Sequence, residues 1–327
     1  MTDSKLSGIS LALTNNISII GVETTCASKM LAGYKPAFNA TIVDKIEQAG
    51  MIIKGKLEME EFGAAAISVG PNFGGATMIK PTYGAVSRYG IISGTSSIGQ
   101  IEITGQNIED CASLLSVISG PDPKDSTCVI KKPFKFENFA KHGISGFKIG
   151  VSRDFFDPAI PQKFKSAGAE IEEFEMPLAE YMAPAHYIIA CAEASSNMAR
   201  YDGLKYGHRA EVGNLADVYR LSRSEGFGYD IKKRIMLGSF FLSSGFYDDY
   251  YGKAMKIRAL VKDNFNRIFE KYDMLLSPVR EDVYTLSASL AGLPVAALPC
   301  GFQLIGDAFS EEKLINAVRV YQTGGGV

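Results

Sequence analysis

Acyl transfer by a protein needs a nucleophilic hydroxyl or thiol, a base to take its proton, and backbone donors for the oxyanion. Residues 55–83, GKLEMEEFGAAAISVGPNFGGATMIKPTY, have the glycine and small-residue texture of a catalytic loop. Their only hydroxyl side chains before Tyr83 are Ser68, Thr77 and Thr82. Elsewhere Ser93, Ser96 and Ser97 cluster in SGTSS, and Ser195 and Ser196 in EASSN. Serines beside glycine or alanine serve as caps and turn residues, and no base is visible near these in sequence. The histidines His142, His186 and His208 stand too far apart for metal-ligand spacing. The five cysteines, Cys26, Cys111, Cys128, Cys191 and Cys300, form no CxxC pair. An odd count in a long chain predicts reduced thiols and a cytoplasmic setting.

The 327-residue chain is 46% hydrophobic and 21% charged, with net charge −2. That balance predicts a globular protein with no global positive field for nucleic acid. Lys131, Lys132 and Lys135 read as a solvated face; Lys232, Lys233 and Arg234 make a second basic cluster. The opening residues MTDSKLSGIS lack a basic region followed by an apolar core, so no signal peptide is expected. No apolar run reaches the roughly 18 residues of a membrane span.

Strand and helix signals alternate along the chain. Residues 9–13 suit a buried strand. Residues 39–48 place Ile42, Val43 and Ile46 at helical spacing, with Asn39 as cap and Gly50 as stop. A strand over 51–53, an amphipathic helix over 108–118 and strands over 147–151 and 169–174 follow. A long helix is expected over about 184–201. The clearest helix covers 251–271, with Ala254, Ile257, Val261, Phe265, Ile268 and Phe269 on one face. Strands over 274–276, 294–298 and 302–305 lead to a last helix capped by Ser310 and ending at Gln322. The alternation predicts a buried sheet covered on both faces, in a single domain over 1–322 with a loose tail over 323–327.

Six stretches, in series, carry a resemblance. They are GVETTCASKML (21–31), KPTYGAVSRYG (80–90), SGPDPKDST (119–127), AEASSNMARYDGLKYGHRAE (192–211), RSEGFGYDIKKRIMLGSFFLSSGFYDDYYGKAMKIRALVK (223–262) and LAGLPVAALPCGF (290–302). In these the chain resembles the amidase signature family, most closely its branch of glutamyl-tRNA(Gln) amidotransferase A subunits. The resemblance implies an α/β/α sandwich with a central mixed, twisted sheet. It implies release of ammonia from glutamine, with B and C partner subunits amidating mischarged tRNA. The resemblance implies no cofactor here; ATP and Mg belong to the partner, which also carries the tRNA contact.

The family's chemistry is a Ser, cis-Ser, Lys relay in which a desolvated lysine takes a proton through a bridging serine. Residue by residue, the chain departs from it. The family lysine lies in a Lys-Asp-Asn triplet; the matching triplet is Thr14, Asn15, Asn16. The bridging serine lies in a Gly-Gly-Ser-Ser-Gly-Gly-Ser loop after Met-Asp-Glu-Phe. Here Met59-Glu60-Glu61-Phe62 runs straight into Gly63-Ala64-Ala65-Ala66. The nucleophile lies in an Asp-Thr-Gly-Gly-Ser-Ile-Arg turn. Either Ala76 in Gly74-Gly75-Ala76 replaces that serine, or the turn is deleted and residues 73–80 belong to the later strand. Both serines are then absent. Lys56 matches a Gly-Lys that the family keeps beside its catalytic lysine, which implies a structural role. Arg234 matches the family's carboxylate-gripping arginine, and Asp282 its ammonium-binding aspartate, after a segment shortened to SPVRED. His186 stands at a tyrosine near that pocket. By the resemblance, the family's first helices are expected to be absent, and its helix over 156–167 is reduced to DPAIPQKFKSAG. Three functions stay open: a catalytically impaired member that keeps a pocket or partner surface, an active member with relocated groups, or a trimmed scaffold.

Overall fold

The structure is a computed structural model that describes residues 7–70, 77–135, 143–153, 155, 157–279, 283–298 and 300–324. In chain order it begins with β1 (Ser10–Thr14), α1 (Thr41–Gln48), β2 (Ile52–Leu57), β3 (Ala65–Val69), β4 (Thr77–Lys80) and β5 (Ile101–Gly105). Then come α2 (Ile108–Ile118), β6 (Lys148–Ser152), α3 (Ala159–Ser166) and β7 (Glu170–Phe174). The helices α4 (Ala179–Met198), α5 (Leu215–Gly226), α6 (Tyr229–Phe241) and α7 (Lys253–Phe269) follow one another. The chain closes with β8 (Met274–Pro278), α8 (Tyr284–Ala291), β9 (Val295–Ala297), β10 (Phe302–Gly306) and α9 (Glu311–Thr323).

The described strands form one ten-stranded mixed sheet in the order β2-β1-β3-β5-β4-β9-β10-β8-β6-β7. Successive side chains of a strand point to opposite faces, and the core divides accordingly. Met274, Leu276 and Leu304 join α1, α2, α3 and α9 on one face. Leu275, Val295 and Ile305 join α4, α7 and α8 on the other. The inner strands are therefore largely buried, as a sheet covered on both sides requires, while the edge strands β2 and β7 carry exposed Lys54, Glu170 and Glu173. A separate cluster of Met30, Leu31, Phe62, Met198, Tyr201, Phe227 and Ile231 ties the early loops to α4 and α6.

Most expected elements form, with instructive differences. The helix expected from Asn39 starts at Thr41, because Asn39 turns its amide to the Asp44 carboxylate at 3.0 Å and accepts from the Ile20 N–H at 2.8 Å. Pro184 does not begin α4; it sits inside it, after a left-handed entry at Leu178 (φ 63°). The proline lacks one helical N–H, yet buried Met182 and Ala185 hold the turn on either side of it. Ser310 precedes α9 without capping it, because its hydroxyl donates to the Asp307 carbonyl at 2.6 Å. A π-helical turn over Asp248–Gly252 shortens the front of α7. The shortened segment before Ala167 still makes an eight-residue helix, α3. Of the strand expected over 73–80, Thr77–Lys80 is present and 71–76 lie outside the described residues, as do Asp282 and residues 325–327. Among the described residues no helix is long and apolar enough to cross a membrane.

Candidate functional site

A cavity of about 480 Å³ opens between the sheet and the α4–α6 pair. Its walls include Asn16, Lys80, Glu102, His186, Arg234 and Ser289. Two devices set α6 in place. Glu61, in the turn before β3, accepts the Gly228 N–H at 2.9 and 3.1 Å and the Ser28 hydroxyl at 2.5 Å. A carboxylate at a helix N-terminus satisfies orphan donors and meets the positive end of the dipole. Further along α6, a Cβ at Gly238 would lie 2.0 Å from the Cys191 carbonyl, so only glycine allows α6 to rest on α4 there.

Arg234 projects from α6, one turn before that contact. Among the described residues it has neither a hydrogen bond nor an ion pair. His186 comes from α4. Burial, with help from the positive charges of Lys80, Arg234 and Arg258, pushes its pKa down to about 4. At neutral pH it is an uncharged donor and acceptor beside a guanidinium.

The opposite wall is built on β1. Thr14 is buried at the end of that strand. Its hydroxyl donates to Asn16 Oδ1 at 2.7 Å and accepts from the Ala66 N–H at 2.9 Å. Asn16 in turn donates to the Gly63 carbonyl at 3.2 Å and faces the cavity. Thr14 thus clips β1 to β3 and is not among the cavity-lining residues. Lys56, on β2, donates to the Ile17 carbonyl; burial lowers its pKa to about 8, with Cys26 opposing. It too lies outside the lining.

Most of the alternative serines are engaged in local structure. Ser93 bonds to the Thr95 carbonyl, and Ser96 accepts from Asn197 at 2.9 Å. Ser97 is held by Glu193 and Arg258, and Ser195 meets Ser239 at 3.0 Å. Ser93 nevertheless borders the cavity. Sequence reading met Lys80 only as the first residue of KPTYGAVSRYG, and did not single out Ser289. Lys80 is 4% exposed on β4, and its amine lies 2.7 Å from the Ser289 hydroxyl of α8. Their separation of 209 residues hides the pair from any local pattern.

The cavity therefore joins the Arg234 guanidinium and the uncharged His186 with Asn16, Ser289 and further charged groups, Glu60, Lys80, Arg88 and Glu102; the guanidinium suits a ligand carboxylate. The amidase family model matches this chain over residues 1–78 and 72–291, two pieces that meet at 72–78. The chain belongs to the amidase family. It is 38% identical to the A subunit of glutamyl-tRNA(Gln) amidotransferase from Lachnoclostridium phytofermentans, over 96% of this chain and 83% of that protein. The same identity holds for the protein of that name from Thermoanaerobacter pseudethanolicus, over 98% and 83%. The alignment with the first relative runs over 409 positions against 327 residues here, so that relative carries segments this chain lacks. Among solved structures, the A subunit of glutamyl-tRNA(Gln) amidotransferase from Thermotoga maritima superposes with a TM-score of 0.72 at 27% identity, covering 99% of this chain and 84% of that one. An amidase family protein of Bacillus anthracis superposes with a TM-score of 0.78 at 19% identity, covering 99% and 79%, a likeness of fold.

Proposed function

We propose that this protein is a catalytically impaired relative of the amidotransferase A subunits: it holds a glutamine-like ligand in the α4–α6 cavity without running the family's Ser, cis-Ser, Lys relay. The observation that carries the reading is Thr14. At the position the resemblance gives to the lysine, a hydroxyl is already bonded to Asn16 and Ala66, and a hydroxyl is no base at neutral pH. Two further observations support it. The sequence has no serine loop after Phe62, and the family match divides into two pieces that overlap at 72–78, beside the Gly74-Gly75-Ala76 stretch that the resemblance compares with the nucleophile turn. Losing the nucleophile or base of such a relay costs on the order of a millionfold in turnover.

In this reading Arg234 grips the ligand carboxylate, His186 offers a neutral hydrogen bond beside it, and Asp282 takes the ammonium group. The relatives' name marks them as parts of an assembly, so a B- and C-type partner pair, acting with ATP, Mg and tRNA, is the expected context in a cytoplasmic setting. The test is a thermal melt with and without glutamine, paired with an ammonia-release assay in the presence and absence of B and C subunits. Glutamine should raise the melting temperature of the native chain and leave Arg234→Ala unmoved, while ammonia stays at background. Equal melting of both proteins, or ammonia release at the rate of an intact relay, overturns the reading.

A further inference from the structure

Lys80 and Ser289 meet at 2.7 Å on the wall of the same cavity. A buried lysine normally keeps its charge by pairing with a carboxylate. Among the described residues no carboxylate closes an ion pair with Lys80; its hydrogen-bond partner is the Ser289 hydroxyl. Burial lowers the Lys80 pKa, and Glu102, also on the cavity wall, opposes that shift. The other charged or titratable groups of the cavity wall are Glu60 and Arg88, then His186, Tyr187 and Cys191 on α4, and Arg234 on α6. α2, packed against β4, adds Glu109, Asp110 and Cys111, while β9 and α8 add no charge. A deprotonated amine at this distance is a base for the hydroxyl it touches. Ser289 is half-buried, and its hydroxyl also donates to the Thr285 carbonyl at 3.0 Å. Turning that hydrogen toward Lys80 requires rotation about one bond and no movement of the oxygen.

We propose that Ser289 and Lys80 form a nucleophile–base pair through which the cavity accepts the acyl group of activated esters whose acyl chain ends in a carboxylate. The proposal rests on the cavity being the ligand site argued above, with Arg234 as the carboxylate partner. Ser289 Oγ bonds to the ester carbonyl carbon while its proton passes to Lys80 Nζ. The bond to the leaving phenoxide or alkoxide breaks, and the proton on Lys80 neutralises that oxygen. Water then cleaves the Ser289 ester, which releases the acid and restores the hydroxyl. A carboxamide expels a far poorer leaving group, so glutamine is held and not consumed.

The test incubates the whole chain with mono-4-nitrophenyl glutarate and reads intact mass, peptide mapping and nitrophenol release. One glutaryl adduct is expected, on Ser289, and it disappears in Ser289→Ala. Lys80→Met should slow acylation by about a hundredfold and flatten its rise with pH. Ser289→Ala removes a single oxygen, so it serves as the deciding variant if Lys80→Met fails to fold. 4-Nitrophenyl acetate, which lacks the carboxylate, should react more slowly, and Arg234→Ala should erase that difference. A native chain with neither an adduct nor Ser289-dependent nitrophenol release, an adduct that persists in Ser289→Ala, or equal rates for the two esters overturns the proposal. Glutamine-dependent stabilisation retained in Ser289→Ala, with neither an adduct nor Ser289-dependent nitrophenol release from the native chain, sinks the dyad alone. The adduct without any glutamine effect sinks the glutamine site and leaves the dyad.

Discussion

The two walls of the cavity are built on different principles. The α4–α6 wall holds Arg234 and His186 through distributed packing: the Glu61 anchor, the Gly238 contact and the aromatic cluster of Phe62, Tyr201 and Phe227. The β1–β3 wall depends on single atoms. There the Thr14 hydroxyl, bonded to Asn16 and Ala66, holds the cavity-lining Asn16 in place, while β1 pairs with β2 and β3. Binding geometry shared among many contacts tolerates trimming of loops elsewhere; a proton relay is lost with one of its members. On the function proposed above, a shortened family member keeps its grip longer than its chemistry.

Three measurements press on that contrast. The largest effect belongs to His186. Its folded pKa of about 4 lies below the ordinary 6.5, so the unfolded chain binds more protons between those values. Stability from this group is fully present above pH 6.5 and is lost as pH falls toward 4. The shift corresponds to roughly 3 kcal/mol at most. Denaturation at about pH 4.5 and about pH 7.5 should therefore show a smaller difference for His186→Gln than for the native chain; equal differences would place the histidine in water.

Gly238→Ala comes next. The new methyl meets the Cys191 carbonyl, and the strain should cost about 2 kcal/mol. Because α6 must shift, glutamine stabilisation should fall as well; a lowered melting temperature with full glutamine response would show that the grip does not depend on this contact. The smallest effect is expected on the other wall. Thr14→Val leaves the Ala66 N–H without its partner, at about 1–2 kcal/mol. Glutamine stabilisation should survive it; its loss would mean that both walls hold the ligand.

The regular parts of the fold were legible where one face is apolar at a constant period. α2 lies over the bounds its sequence predicts, Ile108–Ile118, because Asn107 caps it and six of its residues are buried. α5 and α6 gave no comparable signal. Tyr229 and Met236 stay exposed on α6, and only Ile231, Gly238 and Phe241 are buried, so its stripe is thin. Its place comes from Glu61, which no window over α6 contains. The candidate site was half legible. Motif matching pointed to Arg234 and His186, and the structure sets both on one cavity. Lys80 was read only as part of a motif, since the burial that lowers its pKa and the hydroxyl beside it arise from long-range packing.

The Glu61 anchor spans 167 residues. During synthesis the turn that bears this carboxylate leaves the ribosome long before Gly228 exists to receive it. Until then Glu61 stays hydrated and the Phe62 ring lacks its Phe227 neighbour. Contacts of such wide separation close late and set the pace of folding. The pocket should thus be the last part of the molecule to mature, and ligand capture should report completed folding better than helix content does.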